Sequence, residues 1–114
     1  MKLYGIPNCD TVKKASTWLK EHSIDFEMHD YKKLGITKQK LKEWSKQVGV
    51  EKLLNKKSST WRALTPEQQS AITTQTAAIN LMAEKPSIIK RPVIETGGKL
   101  VVGFDEGEYE KVFL

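Results

Sequence analysis

The sequence predicts an α/β fold, a mixed sheet with helices on its faces, and three observations carry that expectation. A strand, a helix and a second strand fill residues 2–30. The middle of the chain carries helical periodicity. The last part returns to strand signals around a glycine pair and ends in a helix. Strand–helix–strand in so short a stretch is a βαβ unit with parallel strands. A hairpin closed by two glycines adds antiparallel ones.

Residues 2–6 alternate up to Pro7-Asn8 and read as a short strand. Residues 10–22 read as a helix, with Val12, Ala15 and Leu19 at helical spacing and His22 in the last turn, where a cation suits the dipole. Residues 25–30 alternate again, Phe26 and Met28 against Glu27 and His29. Thr37 is placed to cap a helix whose stripe is Leu41, Trp44 and Val48 and whose stop is Gly49. Residues 50–54 and 59–63 read as short turns or helices around Leu53-Leu54 and Trp61. Thr65-Pro66-Glu67-Gln68 carries a cap, a first-turn proline and a capping-box glutamine. A further helix bears Ile72, Ile79 and Met82 and must stop before Pro86. Residues 91–95 and 100–102 flank the Gly97-Gly98 turn as a hairpin, and Asp105 caps a last helix with Glu108 at the box position. The chain is expected to be one domain, 1–114, with a helical insertion at about 37–84.

Composition narrows the function. The 114 residues carry a net charge of +5. The lysines are spread over helix-like stretches, and the interleaving of aromatic and basic residues that single-strand readers use is missing, so nucleic acid is not an expected partner. No apolar run approaches the roughly 18–20 residues of a membrane span. The start of the chain shows no signal-peptide pattern. A single cysteine excludes an intramolecular disulfide, and a reducing cytoplasm is the expected setting. Two histidines and one cysteine at 22, 29 and 9 match no metal-ligand spacing, so no metal is expected.

That cysteine, Cys9, follows the first strand and stands at the mouth of the first helix. Free N–H groups there carry partial positive charge and stabilise a thiolate. Lys13 and Lys14 lie about one turn on and add to the field, Asp10 opposes it, and Asn8 and Thr11 offer polar support. The competing reading is a buried structural cysteine, but Cys9 is off the Val12, Ala15, Leu19 stripe. Arg91-Pro92 opens the third strand. A surface arginine at a strand edge and an anion-binding one are both open, and spacing alone does not indicate a cis bond before Pro92.

Three segments together, Tyr4-Gly5-Ile6-Pro7-Asn8-Cys9-Asp10-Thr11-Val12-Lys13-Lys14-Ala15, Thr60-Trp61-Arg62 and Ile88-Ile89-Lys90-Arg91-Pro92-Val93, resemble the arsenate reductase-like (ArsC/Spx) family, more closely its YffB-like branch. The resemblance implies a thioredoxin-like fold, a mixed four-stranded sheet with flanking helices and a helical insertion, with Pro92 as a cis-proline facing the Cys9 thiol. It also implies that Arg91 binds an anion. Two arginines that the family's arsenate reductases use are replaced, one by Asn55 and one near Phe104. An oxyanion needs several charge-assisted donors, so efficient arsenate reduction is not expected. Spx-like regulators carry a second cysteine three residues on, where this chain has Val12.

The expected function is a glutathione-dependent thiol–disulfide reductase with Cys9 as nucleophile, supported by Asn8, Thr11 and Lys13. Glutathione is the co-substrate, not a bound cofactor, and is held by Arg91, Arg62 and the backbone at Pro92. The partner is a disulfide or glutathionylated substrate. The alternatives are an Spx-like regulator that docks on a protein such as RNA polymerase through the surface around Trp44 and Trp61, and a weak arsenate reductase.

Overall fold

The computed structural model describes residues 1–114. Residues 1–30 and 91–114 form one compact unit, and residues 31–90 form a second.

The first unit holds the sheet. Its strands are β1 (Lys2–Gly5), β2 (Glu27–Asp30), β3 (Val93–Thr96) and β4 (Lys99–Val102), in the order β2-β1-β3-β4. β1 and β2 run parallel, with Leu3 opposite Met28. β3 runs antiparallel to both β1 and β4. The parallel pair is joined by α1 (Asp10–Glu21), and α8 (Glu106–Phe113) ends the chain. Successive strand residues point to opposite faces, so Leu3, Ile94 and Val101 share one face. There they meet Val12, Ala15, Trp18 and Leu19 of α1 and Tyr109 of α8 in one buried cluster. Both helices therefore lie on the same face of the sheet. Trp18 widens the stripe read from the sequence. Its ring stands edge-on to Tyr109 at 5.4 Å.

The second unit is helical: α2 (Tyr31–Leu34), α3 (Lys38–Val48), α4 (Val50–Leu53), α5 (Ser59–Arg62), α6 (Pro66–Ser70), α7 (Gln75–Glu84) and a 3-10 turn at Pro86–Ile88. The helical segment is thus wider than the expected 37–84. α2 follows β2 without a linker. At the other end, the Lys90 N–H donates to the Leu53 carbonyl at 2.7 Å and Ile89 bridges Leu54, tying the exit to this unit. Trp44 is fully buried and Trp61 is 8% exposed. Both rings lie in the core, as the place of Trp44 on the Leu41, Trp44, Val48 stripe predicts: burying so much apolar surface outweighs presenting it. No helix is long and apolar enough to cross a membrane.

Candidate active site

The site begins with how closely α1 approaches the sheet. A Cβ on Gly5, the last residue of β1, would lie 2.8 Å from Val12 Cγ2. Only a glycine lets the first turn of α1 settle this near the strand end. Ile6, Pro7 and Asn8 then carry the chain over to Cys9.

Cys9 is the N-cap of α1, with extended backbone at φ −138°, ψ 126°. Its carbonyl accepts the Lys13 N–H at 2.9 Å, which closes the first helical turn. Its side chain makes no capping hydrogen bond. The first-turn N–H groups of Asp10, Thr11 and Val12 have no carbonyl four residues back, as at any helix start. The thiol is half-buried and packs against the sheet–helix cluster. Cys9 thus touches the core with its side chain and also occupies the start of α1.

Register brings Arg91-Pro92 to the same end of the sheet. Tyr4 pairs with Val93 across the antiparallel β1–β3 ladder. The residues before β3 therefore stand beside the residues after β1. The Arg91–Pro92 bond is cis, Pro92 is buried, and Arg91 is half-buried just outside the ladder. The Pro92 carbonyl accepts the Gly103 N–H at 2.8 Å. Gly103 has φ +84°, in the region that favours glycine. Its own carbonyl accepts the Tyr109 hydroxyl at 2.6 Å. Two hydrogen bonds thus link the cis-proline to α8. Burial, and then the neighbouring Glu108 anion, push the Tyr109 phenol well above its ordinary range, so it stays a donor. Sequence reading missed Gly5, Gly103 and Tyr109. The available signals were a glycine closing a strand and a glycine between the last strand and helix.

Asn8, Thr11 and Lys13 are exposed around the thiol. Lys13 borders a groove of about 550 Å³ that runs along α1 from Pro7 to Lys20 and is floored by Phe26 and Met28. Arg62 is exposed at the end of α5, in the helical unit. The positions where the resemblance places two missing arginines have other work. Asn55 Oδ1 accepts the Lys57 N–H at 3.0 Å and shapes a turn. Phe104 stands edge-on to Tyr109 at 5.0 Å. No three His, Cys, Asp or Glu side chains form a metal-binding group.

A model of the ArsC family matches residues 4–112. The chain belongs to the ArsC family. Among solved structures, a YffB protein is 43% identical with a TM-score of 0.94, the match covering 99% of this chain and 98% of that one. An arsenate reductase (ArsC) related protein from Brucella melitensis is 46% identical, covering 98% and 92%, with a TM-score of 0.77. Regulatory protein MgsR of Bacillus subtilis is 30% identical over 114 residues, 98% of this chain and 89% of its own. The sheet and its helices are the thioredoxin-like arrangement of ArsC proteins. Within it, this ArsC-family chain has Cys9 at the start of α1 and a cis bond before Pro92.

Proposed function

We propose that this ArsC-family protein is a glutathione-dependent thiol–disulfide reductase acting through Cys9 alone. The observation that carries the reading is the position of the only thiol: the N-cap of α1, beside N–H donors its side chain does not use. The Cys9 thiolate attacks the glutathione sulfur of a glutathionylated substrate. A sulfur–sulfur bond forms to Cys9, the substrate's bond breaks, and the substrate leaves as its thiolate. The helix field favours the attacking anion. No second cysteine exists to resolve the Cys9–glutathione disulfide. A second glutathione thiolate attacks it, releasing oxidised glutathione and restoring Cys9. The net reaction consumes one free glutathione and releases the substrate thiol and oxidised glutathione.

In this reading Arg91 holds a glutathione carboxylate through its guanidinium fork. The backbone before Pro92 pairs with the tripeptide as an added strand. Asn8, Thr11 and Lys13 support the thiolate, and the cytoplasm supplies the reducing setting. Steady-state turnover of a glutathionylated peptide with glutathione tests the whole: activity is expected for the native chain and none above background for Cys9→Ser. Full activity in Cys9→Ser would falsify it.

The similarity to MgsR, a regulatory protein, motivates a second reading, a regulator that docks on RNA polymerase. It requires binding to purified polymerase that survives Cys9→Ser, together with no glutathione turnover. Arsenate reduction is expected only at background, because Asn55 and Phe104 leave Arg91 without the family's companion arginines.

A further inference from the structure

The helical unit contains a cavity of about 720 Å³, a size common for small-molecule sites. Every residue lining it falls within Gly49–Lys90, so neither Cys9 nor Arg91 takes part. Its apolar wall is Val50, Leu54, Ile72 and Ala78. Its charged lining is Lys56, Lys57 and Lys90 against a single carboxylate, Glu51.

None of the three lysines is ion-paired with a carboxylate. Each leaves a fixed piece of backbone. Lys56 and Lys57 stand on the turn in which the Asn55 N–H donates to the Ile88 carbonyl at 2.8 Å and the Ser58 N–H to the Asn55 carbonyl at 3.1 Å. The Lys56 ammonium lies 5.4 Å from the centre of the Trp61 ring. Lys90 is held by its N–H bond to the Leu53 carbonyl. Three like charges around one hollow repel one another, and a bound anion relieves that repulsion. Thr73 and Thr74 line the same hollow and add hydroxyl groups.

We propose that this cavity binds a phosphoryl group carried on an apolar body. Three lysines against one carboxylate in the lining suit a compact dianion. No arginine fork lines the cavity, as bidentate carboxylate recognition would favour. The apolar wall takes the body. This goes beyond the thiol chemistry and stands whether or not Cys9 reduces disulfides.

The test uses phenyl phosphate as ligand and amide chemical shifts of the full chain as readout. Saturable shifts are expected at Val50, Lys57, Thr74 and Ala78, with benzoate at least ten-fold weaker. Lys57→Gln combined with Lys90→Gln should weaken phenyl phosphate at least ten-fold while the spectrum stays dispersed. Lys52→Gln, on α4 beside the lining residues Val50 and Glu51 but itself outside the lining, should change it less than two-fold. Absence of shifts at these amides, equal binding of benzoate, or equal weakening by Lys52→Gln would each overturn the assignment. If the double variant loses its dispersion, Lys57→Gln alone decides, with a loss of three-fold or more expected and no loss contradicting the site.

Discussion

The start of α1 and the starts of the other long helices solve the same problem in opposite ways. α3, α7 and α8 open with Thr37, Thr74 and Asp105, and each side chain accepts an N–H three residues on. The short α5 and α6 do the same with Ser58 and Thr65, and Thr65 closes a full capping box with Gln68. α1 opens with Cys9, whose side chain caps nothing. The short α4 also lacks a side-chain cap, but its N-cap is Gly49, which has no side chain to offer. A missing cap costs about 1 kcal/mol. The chain accepts that cost at the one helix start that carries a thiol. In the proposed function the open donors there serve chemistry, while the capped ones serve stability.

Cys9→Ser breaks this contrast most sharply. Turnover should fall to background while stability rises by about 1 kcal/mol, because serine caps where cysteine does not. Thermal unfolding and the glutathione assay read the two effects on one protein. Next in size is Gly5→Ala. A Cβ 2.8 Å from Val12 Cγ2 forces Val12 or the start of α1 to shift, at a cost of about 1–3 kcal/mol. Denaturant titration should show the loss, and Val12→Ala in the same chain should restore most of it.

Tyr109→Phe sharpens the comparison from the other side of the site. It removes the bond to the Gly103 carbonyl and keeps the ring, for a loss of about 1–2 kcal/mol at neutral pH. The phenol's folded value is raised, so its contribution is fully present below the ordinary value of about 10 and is lost as pH rises beyond it. Native protein should therefore lose stability above about pH 10 more steeply than Tyr109→Phe, as measured by unfolding at stepped alkaline pH. The smallest effect is Thr65→Ala, which should cost about 1 kcal/mol by thermal unfolding and leave turnover unchanged.

Much of this was legible because it is local. Thr65-Pro66-Glu67-Gln68 announces its own capping box, Gly97-Gly98 its own turn, and Val12, Ala15 and Leu19 their own face. Cys9 declared itself by standing off that face between strand and helix. The cis bond before Pro92 came from resemblance, not spacing, since sequence around a proline barely separates the isomers. What stayed hidden depends on distance through space. Gly5 is explained only by how near Val12 comes. The link from Pro92 through Gly103 to Tyr109 joins a strand end to a helix at no periodic spacing. α2 was missed because four residues after a strand carry no cap and too short a period.

The most direct test is intact-protein mass after incubation with oxidised glutathione at pH 7, with Cys9→Ser as control. A single glutathione adduct, absent in the variant and reversed by glutathione, is the result this account predicts. An unmodified protein, or one that reacts no faster than free cysteine, would mean that the uncapped start of α1 does not activate its thiol.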